Sequence, residues 1–314
     1  MRITHIFALS AAVASPLTAQ IVSPGLIDRA RQPDGSAPIT VPEQRSEEDS
    51  VGQMDFAPPS PGDSDLGMQM LLKRQERIRM FWAQANIGVF GTDNAARLNR
   101  NEEGDAYFSG VVALGFQPQF GDNWFLDLSV SQEFYRYNTY EVLDFESTDL
   151  GIGLFKVLSS LDDLVVGARY GYRRMTSGSI SEETYSRNGL ALSAQKTFLI
   201  DRKNSWYVNA TADFDAQSDP EVLERYEYAG QIGYDFRLTH DLKLSAFYRY
   251  AWRDYQNADL DEGNHILGVA ATVVVGPNVR LETSAVWTEN DSDLDALDYT
   301  ASSVGLAANF RVDF

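Results

Sequence analysis

The sequence has no cysteine and only three histidines, and beyond Ala19 no apolar run reaches the roughly 20 residues that a membrane-spanning helix needs. The first absence excludes disulfide staples, thiolate metal sites and cysteine nucleophiles together. The last excludes a helical membrane protein. Basic residues are also scarce, with 26 Lys and Arg against 45 Asp and Glu and a net charge of -19. Such a chain repels a phosphate backbone, so no nucleic-acid partner is expected.

At the N-terminus Arg2 precedes the apolar stretch Ile6 to Val13 and the small-residue tail Leu17-Thr18-Ala19. This is the layout of a secretory signal peptide over residues 1–19, cut after Ala19 or, alternatively, after Ala14. Residues 20–65 are rich in Pro, Ser, Gly and acid, as in Pro58 to Gly62. They carry too little apolar surface to offset the entropy of ordering and are expected to be disordered in the periplasm. Ser64 or Asp63 can cap an amphipathic helix over residues 66–79, with Met68, Leu71, Leu72, Gln75 and Ile78 on one side. Lys73, Arg74, Arg77 and Arg79 sit toward its C-terminal end, where the helix dipole favours them.

From Met80 onward the hydrophobic period is two. Leu242, Leu244, Ala246, Tyr248, Tyr250 and Trp252 alternate with more polar neighbours, and so do Leu164 to Tyr172 and Val304 to Phe314. Successive strand residues face opposite sides of a sheet, so each segment has one apolar and one polar or small face. About twelve such segments follow one another, with short turns near Gly121, Ser159, Asp201, His240 and Pro277 alternating with longer acidic connections. The segments run to roughly 11–16 residues, beyond the usual 5 or 6 of soluble sheets. Tilted strands crossing a bilayer account for that length. Trp124, Trp206, Phe116, Phe198 and Phe236 border the short turns, whereas Tyr170, Tyr172, Tyr250, Trp252 and Trp287 approach the long loops, as two interfacial girdles would require. The fold class expected is all-β: a transmembrane antiparallel up-and-down β-barrel over residues 80–314, with both termini periplasmic.

The export signal, the alternating tail Phe310-Arg311-Val312-Asp313-Phe314 and the strand count together resemble Gram-negative outer-membrane β-barrels of the porin-like class, including uncharacterised barrel porins with long acidic loops. The resemblance covers about residues 80–314 and is architectural. It implies that Phe310, Val312 and Phe314 form the signal read by the barrel-insertion machinery. It implies as partners that machinery, periplasmic chaperones, and outer-membrane lipid with lipopolysaccharide.

If Phe314 and its alternates face lipid, the opposite register faces the lumen. That face carries Arg169, Arg173, Lys243, Arg249, Arg253, Arg280 and Arg311 against Asp127, Glu133, Asp213 and Glu282, with Arg237, Asp149, Asp215, Glu227, Asp235 and Asp313 beside them. Charges of both signs either pair across a narrow interior and fill it, or line opposite walls of a water channel and select solutes. No enzymatic site is expected. Neither His240 nor His265 has a serine two residues on, as barrel phospholipase chemistry would need, and no Asp-x-His element of the omptin kind occurs. No cofactor or metal site is expected either. The acidic stretch Asp291 to Asp298 has Ala296 where a calcium loop needs glycine, and no closing Glu. The leading expectation is therefore a porin-like passive channel for small solutes through a charged lumen. The alternative is a non-conducting structural or envelope-assembly barrel, with residues 20–79 offered to a periplasmic partner.

Overall fold

The computed structural model describes residues 79–177 and 182–314; the signal peptide, the 20–65 segment and the 66–79 helix up to residue 78 lie outside the described residues. Twelve long antiparallel strands form the wall: β1 (Phe81–Thr92), β2 (Asp105–Phe116), β4 (Trp124–Tyr137), β5 (Phe145–Leu158), β6 (Leu164–Ser177), β7 (Glu183–Leu199), β8 (Asn204–Asp219), β9 (Arg225–Arg237), β10 (Leu242–Tyr255), β11 (Leu260–Gly276), β12 (Val279–Ser292) and β13 (Tyr299–Asp313). A two-residue strand, β3 (Gln119–Phe120), extends the hairpin before β4. Each long strand pairs with its sequence neighbours, and β1 pairs with both β2 and β13, so the sheet closes on itself. Closure leaves no edge, and every strand's backbone groups find partners within the wall, which a hydrocarbon surrounding demands.

The expected alternation holds round the whole circumference. Outward positions on all twelve strands carry exposed apolar side chains, among them Val89, Val112, Val130, Ile152, Leu192, Val208, Ile232, Leu267, Leu281 and Leu306. A continuous apolar belt of this kind is far larger than the patches soluble proteins expose, and it matches the lipid-facing band of a membrane barrel. Trp206 and Phe198 stand exposed on the outer face near the short turns, while Tyr170, Tyr172, Tyr250, Trp252 and Trp287 stand exposed near the loops. His265 shares that outer girdle. Its Nδ1 lies 2.7 Å from the Tyr248 hydroxyl.

The longer connections are shorter than the sequence suggests, because the strands continue past the apolar band. β7 begins at Glu183, β11 at Leu260, and β12 ends at Ser292. Inward residues there are buried, including Tyr185, Glu262, Asn264 and Asn290, so packing inside keeps the ladder going where the outer face has turned polar. Three of the loops fold into one shape, a single 3-10 turn at Glu141–Leu143, Glu221–Leu223 and Asp295–Leu297. The acid after the first turn, Asp144, accepts a hydrogen bond from the Tyr137 amide at 2.7 Å, and Asp298 accepts one from the Ser292 amide at 2.7 Å. These carboxylates are thus tied to the loop backbone.

Candidate functional site

The interior of the barrel collects the chemistry. Its wall is made compatible with bulky rings by glycine. Phe155 lies over Gly167, Tyr207 over Gly233, Phe247 over Gly268, Phe90 over Gly305 and Trp82 over Gly115. In each case the ring and the glycine are direct cross-strand partners. Without a Cβ opposite it, an inward ring lies flat along the wall instead of standing into the lumen.

The ladder register sets each residue expected in the lumen on the face opposite the exposed apolar one. The Arg169 guanidinium donates to Asp127 at 2.9 Å and to Asp149 at 3.0 Å, and Arg173 donates to the other oxygen of Asp149 at 3.0 Å. Asp213 accepts from Arg187 at 2.9 Å, and Arg187 also binds Asp215. Glu227 gathers Arg225 at 3.1 Å, Arg253 at 3.0 Å, and Arg249. Arg253 continues to Glu262 at 3.4 Å and to the side-chain Oδ1 of Asn290 at 3.2 Å. Lys243 pairs with Asp235 at 3.5 Å. Glu282 accepts from Thr272 at 3.2 Å. Glu133 is half-buried on β4, opposite Ser147 on β5. At the short-turn end Arg280 is exposed, and Arg311 pairs with Asp313 at 3.2 Å while its guanidinium lies 5.0 Å from the Trp82 ring centroid.

The pairs run along the wall, between residues of one strand or of strands one or two apart, where the sequence suggested basic and acidic walls facing each other. The reason is reach: a guanidinium two residues along a neighbouring strand meets its carboxylate far sooner than one across the barrel. All of the ion pairs except the turn-end Arg311 contact lie on β4 to β11, with Asn290 and Glu282 of β12 at their margin. Midway along β13, β1 and β2 the inward positions carry Ser303, Gly305, Ala307, Asn309, Asn86, Ser109, Val111 and Ala113 instead, with the Phe90 ring flat over Gly305 and the Trp82 ring over Gly115; β12 adds Ser284 and Val286 but also Glu282, the register partner of Ala307. The interior is thus two-sided midway along the barrel, with a charged arc from β4 to β12 and an arc of uncharged side chains on β13, β1 and β2.

Along the barrel axis it is also graded. Midway, inward residues such as Ser131, Asp149, Arg173, Thr211, Arg249, Ser284 and Ala307 are half-buried. Toward the loops every one of the twelve long strands supplies a buried inward residue, from Thr92 and Tyr107 through Tyr137, Phe145, Met175, Tyr185 and Asp215 to Arg225, Arg253, Glu262, Asn290 and Tyr299. One half of this layer is aromatic, with Tyr107 and Tyr137 rings 5.3 Å apart and Tyr135 and Phe145 rings 4.4 Å apart. The other half is ionic: Arg225 donates to the Tyr255 hydroxyl at 2.9 Å, and that hydroxyl donates to Glu262 at 3.2 Å.

Sequence reasoning missed Arg187, Arg225 and Glu262. Arg187 lies two residues from Tyr185 and Gly189 in the same alternation and was within reach of the period-two pattern. Arg225 and Glu262 sit at strand ends that read as loop margins.

The solved structure of an outer-membrane channel from Pseudomonas putida F1 superposes with a TM-score of 0.54 at 12% identity, covering 75% of this chain and 96% of that one. The chain has the fold of an outer-membrane β-barrel. Among other solved barrels, the NanC porin gives a TM-score of 0.44 at 10% identity, over 73% of this chain and 100% of that one. A bacterial polysaccharide outer-membrane secretin gives 0.46 at 8% identity, over 73% and 98%. No protein-family model and no curated protein matches the sequence of this outer-membrane barrel.

Proposed function

We propose that this barrel is a non-enzymatic, porin-like passive channel for small solutes in the bacterial outer membrane, with both termini periplasmic and the longer loops outside the cell. The observation that carries the reading is the half-buried, polar and charged wall midway along a closed twelve-stranded barrel, from Ser131 and Asp149 to Ser284 and Ala307. Water and solute can contact such a wall, whereas an interior meant only for packing would bury it. Glu133, Arg169, Arg173, Asp213, Lys243, Arg249, Arg280, Glu282 and Arg311 are the charged groups nearest a solute in passing, while Asp127 and Arg253 are buried beside their partners. The full chain reconstituted in a planar bilayer is expected to give reproducible single-channel steps. Insertion without steps would sink the channel reading. For the orientation, an added protease should cut intact cells near Asp293 and spare the turn at Asp201; the opposite pattern reverses the topology.

One observation favours the second reading, a non-conducting structural or assembly barrel. It is the loop-end layer, where inward residues of all twelve strands are buried. If that layer is permanent, the bilayer experiment gives silent insertions, and a pull-down from periplasm through residues 20–79 becomes the informative measurement.

A further inference from the structure

We infer that the passage runs along the uncharged arc of β13, β1 and β2, and that it takes uncharged polar solutes with little preference between cations and anions; this rests on the channel reading above.

Two observations lead there. The first is charge balance. The paired network of β4 to β11 contains six guanidinium groups, those of Arg169, Arg173, Arg187, Arg225, Arg249 and Arg253, and six carboxylates, those of Asp127, Asp149, Asp213, Asp215, Glu227 and Glu262, beside the Lys243–Asp235 pair; the inward Glu133 and Glu282 are matched in number by Arg237 and Arg280. Opposite charges about 3 Å apart cancel beyond a few ångströms, so a solute at the far wall experiences a weak field of either sign. The second is shape. Each arginine is drawn sideways onto its own arc by its carboxylates, and the facing arc presents the half-buried Ser303, Ala307, Asn309, Asn86, Val111 and Ala113. The open cross-section therefore lies against the short side chains, where hydroxyls, amides and backbone offer hydrogen bonds without charge.

The test uses the full chain in planar bilayers under a tenfold KCl gradient. The unaltered protein should show a cation-to-anion permeability ratio within about twofold of unity. Arg169→Gln leaves Asp127 and Asp149 without their shared cation and should shift that ratio several-fold toward cations. Ala307→Gln adds bulk without charge on the uncharged arc and should cut unit conductance several-fold, while Ala191→Gln on the charged arc should leave it nearly unchanged. Strong ion selectivity in the unaltered protein, or equal losses from Ala307→Gln and Ala191→Gln, overturns this inference while leaving the channel standing. Silent insertions overturn both. Heat-modifiable migration in gels confirms that each variant is folded, and Ala191→Ser, expected to conduct like the unaltered protein, controls for insertion.

Discussion

Phe314 and Phe81 exchange two backbone hydrogen bonds, 2.8 Å from the Phe314 amide and 3.0 Å from the Phe81 amide, so the last residue of the chain is fastened to the first residue of β1. Their rings stack with centroids 5.9 Å apart, on the exposed outer face of the closing seam. The seam is sealed by main-chain groups, and the Phe314 side chain, 63% exposed, adds little packing.

Replacing Phe314 with Ser should therefore leave the stability of protein refolded in detergent within about 1 kcal/mol of the unaltered chain. Assembly in cells should fall sharply if Phe310, Val312 and Phe314 are read as an insertion signal. Comparing folded yield from outer membranes with urea midpoints of refolded protein separates the two effects. A matching loss in both would assign Phe314 a packing role instead.

Arg253 is 1% exposed and anchored to Glu227 and Glu262. Truncation to Ala removes a buried cation from between two carboxylates, and the expected cost is about 3–5 kcal/mol of unfolding free energy. Arg253→Met combined with Glu262→Leu should recover most of it, since Glu227 keeps Arg225 and Arg249. Denaturant unfolding followed by tryptophan fluorescence measures both.

Gly268 faces the Phe247 ring across the β10–β11 pair, and a side chain there would occupy the space of that ring. Gly268→Val should destabilise the barrel by about 1–3 kcal/mol. Adding Phe247→Ala makes room and should return part of the loss. If Gly268→Val is harmless alone, the flat-ring packing is not what that glycine serves.

The turn between β7 and β8 is organised by Asp201, whose carboxylate accepts from the Lys203 amide at 2.7 Å and the Asn204 amide at 2.8 Å. These hydrogen bonds, led by the Lys203 amide, hold its carboxyl below the ordinary aspartate range. A depressed folded pKa contributes stability that is present above the unfolded value near 3.8 and is lost as pH falls through the folded one. The stability difference between the unaltered protein and Asp201→Ala should thus hold at neutral pH and vanish in acid below that range. A difference independent of pH would mean that the turn does not depend on the charge.

Alternation along strands such as Leu242 to Trp252 made the barrel legible, because a period of two is a property of the chain itself. The turn chemistry near Asp201 and Pro277 was legible for the same reason. The interior was legible only as a list of residues. Which ring meets which glycine, as with Tyr207 and Gly233, depends on register between strands, and no single strand encodes it. The sideways pairing of Arg169 with Asp127 was hidden likewise, since it links strands two apart. Glu262 ends the acidic run Asp259 to Glu262, whose composition is that of a solvated loop, while its own side chain is enclosed by the barrel.

The three 3-10 turns at Glu141–Leu143, Glu221–Leu223 and Asp295–Leu297 recur after every fourth long strand. Around a ring of twelve, that spacing gives the rim a pseudo-threefold symmetry that the interior does not share, because its charges midway along the barrel leave β13, β1 and β2 bare. A body approaching the rim meets the same knuckle from three directions, whereas a solute inside meets a wall with a front and a back. Selection inside and contact at the rim are therefore separable by mutation, each obeying its own symmetry.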